Sequence, residues 1–157
     1  MSFAPTLDRA AIATLVPHHG AMCLLDRVLA WDASSIRCAA TSHRRVPHPL
    51  ALDGALDATA AIEYAAQAMA LHGRLSAGDG ATPKAGFIAA VRDVVLHVPR
   101  LDTVDGELLI DCEQQAGDAR QAVYRFEVSS EGGMALCSGR ITVVLEPSSS
   151  AATGATA

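Results

Sequence analysis

From Leu56 to Leu71 the sequence contains neither Pro nor Gly, and Ala, Leu, Ile and Met fill nearly every position. That pattern favours a helix by propensity and leaves it apolar around most of its circumference, so it belongs inside a core. Before it, Thr6 and Asp8 can cap a short helix reaching about Leu15, which Pro17 and Gly20 end. Ala21 to Trp31 reads as a strand with the charged pair Asp26-Arg27 in its middle, and Ser35 to Ser42 as a second strand, joined by the turn Asp32-Ala33-Ser34. His43 to Gly54 carries two prolines and is expected to be irregular, with Asp53 or Asp57 as the N-cap of the long helix. Ser76 to Pro83 has the composition of a surface loop. Strand-like runs then follow at Ala85 to Val98, Glu107 to Gln115, Ala122 to Ser129 and Met134 to Glu146.

The later strands are consecutive and separated by short turn-forming stretches, which favours antiparallel pairing. An apolar helix between an early hairpin and a later meander can bury itself if the sheet curls around it. The expected class is therefore α+β, a hot-dog fold with a long central helix wrapped by a curved antiparallel sheet. One domain is expected over residues 1–146, with the polar, small-residue tail 147–157 disordered.

Composition sharpens this picture. Half the residues are hydrophobic but only 4% are aromatic, so the core must be built from Ala, Val, Leu and Ile with closely approaching backbones. A formal net charge of −5 without any Lys/Arg-rich run argues against nucleic acid or an anionic membrane as the main partner. Cys23, Cys38, Cys112 and Cys137 form no CxxC pair, and no apolar run reaches membrane-spanning length. A soluble cytoplasmic protein with free buried thiols is the expectation.

Candidate chemistry centres on His43 to Leu75. Glu63 is the carboxylate inside the apolar helix, and Gln67, four residues on, lies one turn away on the same face and can orient it. An apolar setting raises the pKa of a carboxylate, which would suit Glu63 to deliver a proton. His48 taken alone reads as a loop histidine satisfied by a backbone group; beside Glu63 it becomes a candidate base. His43 competes with it. His18 and His19 read as turn residues near a pocket mouth, His72 as a structural residue favoured by the helix dipole, and His97 as outward-facing. His43, Arg44, Arg45, Arg92 and Arg100 could form a positive patch or be scattered solvated charges.

Three segments in order resemble a known family. Leu15 to Asp32, LVPHHGAMCLLDRVLAWD, is similar to the opening of the 3-hydroxyacyl-[acyl-carrier-protein] dehydratases of the FabA/FabZ type. Ile62 to Ala70, IEYAAQAMA, resembles their EAMAQ helix, and Gly86 to Ile110 resembles the strand, basic-Pro turn and strand that follow. The nearest likeness is to the dehydratase-like proteins of aryl polyene clusters, with HPL-x-LDG before the helix and IEY-x-AQA within it.

The resemblance implies a catalytic His48 and Glu63 facing each other across a dimer interface, the imidazole taking the proton beside the thioester carbonyl and the acid protonating the departing hydroxyl. It implies a backbone N–H near the helix start, from Gly54 or Ala58, for the thioester oxygen. It also implies an acyl-carrier-protein or coenzyme A thioester as substrate, no metal or redox cofactor, and a homodimer, higher oligomer or heteromer with another hot-dog subunit. HPLALDGALDA replaces the family's HFPG-x-P-x-x-PG and is one residue longer between His48 and Glu63. Two alternatives stand beside this: an acyl thioesterase of the same fold, and a non-catalytic subunit completing a partner's site.

Overall fold

The structure, a computed structural model, describes residues 6–78 and 86–145. Helix α1 (Arg9–Leu15) is capped by Asp8, whose Oδ1 accepts the Ala11 N–H at 2.9 Å. Strands β1 (Arg27–Trp31) and β2 (Ser35–Ala40) form the early hairpin. Helix α2 (Ala61–Ala77) follows a 3-10 turn over Ala58–Ala60, and β3 (Gly86–Leu96), β4 (Leu108–Gly117), β5 (Gln121–Ser130) and β6 (Ala135–Leu145) complete the fold. All neighbouring strands pair antiparallel in one six-stranded sheet of order β1-β2-β4-β5-β6-β3. The expected class holds: a long central helix on the inner face of an antiparallel sheet. The expected tail at 147–157 and most of the Ser76–Pro83 loop lie outside the described residues.

The first strand is shorter than its apolar pattern predicts. Gly20–Met22 is a 3-10 turn, and regular pairing with β2 begins only at Arg27. The cause lies on α2, where Gln67 accepts the Leu24 N–H at 3.0 Å and donates to the Met22 carbonyl at 2.7 Å. Backbone groups captured by a side chain cannot join a ladder. Asp26 and Arg27 do not pair with each other: Asp26 accepts from Thr41 and Arg9, and Arg27 donates to Glu107.

Buried Ala61, Ala65 and Ala68 give α2 its close approach to the sheet, and Cys112 Sγ lies 3.6 Å from the Ala65 carbonyl. The few aromatics are placed where volume is needed. Phe126 is buried against Gly139 of β6, where an added Cβ would lie 3.0 Å from the Phe126 ring and 3.2 Å from the Arg92 carbonyl. Buried His72 ties three elements together, its Nε2–H donating to the Asp32 carbonyl at 2.8 Å and its Nδ1 accepting the Tyr124 hydroxyl at 2.7 Å. It is structural, but as a neutral interior cross-brace and not as a cation on the helix dipole: burial lowers its pKa.

At the sheet's far edge β3 is exposed along most of its length. Phe87, Ile88, Val95 and Leu96 are all largely open to solvent. The described residues contain no helix long and apolar enough to cross a membrane, and all four cysteines are free and buried.

Candidate active site

The segment before α2 is shaped by its backbone. Asp53 and Gly54 both adopt positive φ, 51° and 74°, and Leu52 and Ala55 exchange hydrogen bonds across them at 2.9 and 3.0 Å. This is the left-handed two-residue turn that Asp-Gly favours. Gly54 therefore sits at an exposed turn tip and not at the helix start. The Ala58 N–H, the other expected oxyanion donor, is already bonded to the Pro99 carbonyl at 3.1 Å. Thr59 donates to Asp57, Ala60 to the Asp57 carbonyl, and Ala61 to the carbonyls of Ala58 and Thr59. The helix start thus spends its first amides internally, which corrects the expectation for Ala58.

His48 is buried, and both ring nitrogens are engaged. Its Nδ1 accepts the Leu50 N–H at 3.0 Å, and its Nε2 lies 3.2 Å from the Tyr64 hydroxyl. Tyr64 Oη is 2.7 Å from Ser42 Oγ, which donates to the Leu24 carbonyl at 2.7 Å. Burial pushes the Tyr64 phenol up to about 12, so it keeps its proton at neutral pH. Sequence reasoning left Tyr64 and Ser42 out of the site; the available signal was a phenol beside Glu63 in an otherwise apolar helix.

Glu63, in the first turn of α2, is not enclosed in apolar surroundings as expected: its side chain is 30% exposed. Its Oε1 accepts from Gln67 Nε2 at 3.2 Å and lies 3.2 Å from His18 Nε2, so His18 is brought to the acid. Gln67 is buried, with both amide hydrogens spent on Met22 and Glu63 and its oxygen accepting from Leu24. It orients Glu63, and it has no donor left for the substrate contact also expected of it. Within this chain His48 bonds to Tyr64 and Glu63 to Gln67, so the two candidate catalysts are not joined by a described hydrogen bond.

The competing base, His43, is buried. Its Nε2 donates to the Val104 carbonyl at 2.9 Å, and its Nδ1 has no hydrogen-bond partner among the described residues. Of the five residues that could form a positive patch, His43 is interior, Arg100 is bound to Asp102, and Arg44 lies 3.8 Å from exposed Asp105. No group of three or more potential metal ligands occurs among the described residues.

Three imidazoles, His43, His48 and His72, have their pKa lowered mainly by burial; the neighbouring His43 adds to the effect at His48. The unfolded chain therefore takes up protons before the folded one as pH falls. Their stabilisation is fully present above the ordinary histidine value of about 6.5 and declines as pH drops below it. Asp32, Asp57, Asp102 and Asp118 are lowered by hydrogen bonds, and their contribution is lost only below the ordinary aspartate value. Thermal melts across this range are expected to show two separate losses, the first beginning near pH ~6.5. A midpoint constant down to pH ~4 would contradict the buried neutral imidazoles.

Comparison with known proteins places this geometry. No curated protein matches the chain. Among solved structures, a chain of the dehydratase heterocomplex ApeI:P from Xenorhabdus doucetiae superposes with a TM-score of 0.75 at 23% identity, covering 87% of this chain and 91% of that one. A thioesterase from Haemophilus influenzae matches with a TM-score of 0.62 at 15% identity over 93% and 95% of the two chains. A thioesterase from Pseudomonas aeruginosa matches with a TM-score of 0.56 at 18% identity over 77% and 81%. These likenesses share the hot-dog fold. The profile of the ApeP-like family, described as ApeP dehydratase, matches residues 10–154, nearly the whole length, and the chain belongs to that family of hot-dog dehydratases.

Proposed function

We propose that the chain takes part in dehydrating a 3-hydroxyacyl thioester, carried on acyl carrier protein or coenzyme A, to the trans-2-enoyl thioester in fatty acid or polyene synthesis. The reaction takes place at a site shared with a second hot-dog chain. A base removes a proton from C2, that electron pair forms the C2–C3 double bond, the C3–O bond breaks, and the hydroxyl leaves as water with a proton from an acid. Glu63 is this chain's acid. The observation that carries the reading is its placement: a carboxylate 30% exposed on a largely apolar helix, its Oε1 held by the buried Gln67 amide and His18 and its other oxygen left for a group from outside the chain. His48 stands where the resemblance puts the base.

The partner's seat is β3. An edge strand exposing Phe87, Ile88, Val95 and Leu96 presents unpaired backbone and apolar area together, which is the surface another sheet edge covers. The ApeI:P structure is a dehydratase heterocomplex, which supports an unlike chain as the partner. Free buried thiols fit a reducing cytoplasm.

A second reading is favoured by the spent amides from Ala58 to Ala61: the chain completes a partner's site without a thioester-oxygen contact of its own from these groups. A thioesterase is the third, on fold likeness. Mass spectrometry of a 3-hydroxyacyl carrier protein incubated with the assembly of this chain and its hot-dog partner, wild type and Glu63→Gln, separates them. Loss of one water that Glu63→Gln abolishes is expected. Loss of water untouched by Glu63→Gln would move the assignment to the completing subunit, and release of a free acid to the thioesterase.

A further inference from the structure

The hydrogens in the row Leu24, Ser42, Tyr64, His48, Leu50 can be placed by elimination. The Leu24 carbonyl can only accept, so Ser42 gives it its hydroxyl hydrogen across 2.7 Å. Ser42 Oγ then accepts from Tyr64 across 2.7 Å. Tyr64, with its hydrogen committed to Ser42, can only accept from His48 Nε2 at 3.2 Å. At the opposite end, an amide N–H can only donate, so the Leu50 N–H, 3.0 Å from Nδ1, requires that nitrogen to be bare. The two ends are independent of each other, and they assign the same tautomer.

We infer that Ser42 and Tyr64 are positioning residues that hold His48 with its hydrogen on Nε2, so that neither ring nitrogen of the resting chain offers a free lone pair. This rests on the reading in which the imidazole facing the acid removes the C2 proton, and it states the form in which His48 rests before that task. For His48 to accept a proton, the ring must release the Leu50 amide. Its own hydrogen has nowhere to go, because the row ends at the Leu24 backbone carbonyl, which can accept a hydrogen bond but cannot keep a proton. In the resting chain His48 therefore acts as a hydrogen-bond donor to Tyr64 inside its own chain. Tyr64 is the residue that distinguishes this arrangement, since a side chain without a hydroxyl there would leave Nε2 without its acceptor.

The test reads the ring directly and needs no substrate. Two-bond proton–nitrogen correlation spectra of the nitrogen-15-labelled chain, at about neutral pH, report which ring nitrogen carries the hydrogen. The Nε2–H form of His48 is expected to exceed the Nδ1–H form by at least about tenfold, since a hydrogen bond at each end of the ring favours it. Ser42→Ala removes the acceptor for the Tyr64 hydrogen and lets that hydroxyl turn toward Nε2, so the excess should fall by several-fold; Ser42→Thr, which keeps the hydroxyl, should restore it. A wild-type ring with its hydrogen on Nδ1 overturns the inference, and an excess unmoved by Ser42→Ala removes Ser42 from the positioning role. Failure to dehydrate any thioester would count against the proposed function alone, because the tautomer is read without turnover.

Discussion

Glu63→Gln is expected to lower the rate of thioester dehydration by about 10²–10⁴-fold, the usual contribution of a positioned proton donor. The replacement has nearly the same shape and keeps an oxygen for the Gln67 amide, but it cannot give up a proton to a departing hydroxyl. Because the side chain is 30% exposed and lies at the surface of α2, the fold should scarcely notice, with stability changing by less than about 0.5 kcal/mol. The loss should appear in kcat with KM little changed, since the carboxyl proton matters in the transition state more than in substrate binding. Steady-state kinetics on the active assembly decide it: a kcat within about threefold of wild type, with protein still folded, would remove Glu63 as the acid.

Much of the fold was legible because local pattern and tertiary role agree. The capping Asp8 and the four late strands appear close to where the pattern places them, while the apolar helix runs over Ala61–Ala77, starting and ending later than the Leu56–Leu71 stretch because Ala58–Ala60 forms a 3-10 turn. The departures come from long-range side-chain contacts. Ala21 to Asp26 has the periodicity of a strand, but Gln67, more than forty positions away, takes its backbone groups. The β3 run reads as a strand and is one, yet its apolar residues on both faces look the same in sequence whether they fill a core or await a partner. At the site, the resemblance picked out His48 and Glu63 but not what each touches. That His48 meets Tyr64, that His18 reaches Glu63, and that His43 is interior all depend on how the loops fold back over α2. The oxyanion expectation for Ala58 failed because a helix start is an open donor only when its amides are not already used, and the Pro99 carbonyl comes from the distant turn after β3.

Gln67→Leu should be the most damaging single change outside the apolar core. The residue is 1% exposed, and its amide makes three bonds: to the Met22 carbonyl at 2.7 Å, from the Leu24 N–H at 3.0 Å and to Glu63 Oε1 at 3.2 Å. Leucine fills the same space but satisfies none of these groups, and Leu24 is itself fully buried, so its N–H is left without a partner. An unsatisfied buried backbone group costs about 1–3 kcal/mol; the Leu24 N–H carries that cost in full and the half-buried Met22 C=O a part of it, so the expected destabilisation is about 2–4 kcal/mol. For a domain of this size that is a fall in Tm of roughly 5–15 °C. The consequence reaches the site, because the Leu24 carbonyl is the terminal acceptor of the row through Ser42 and Tyr64 to His48. Loosening residues 22–24 withdraws that acceptor, so the Tm should fall together with the excess of the Nε2–H form of His48. Calorimetry and the ring-nitrogen spectrum of the same sample test both at once. A lowered Tm with an unchanged tautomer would mean that the Leu50 amide alone fixes the ring, and an unchanged Tm would mean that residues 22–24 are held by groups other than Gln67.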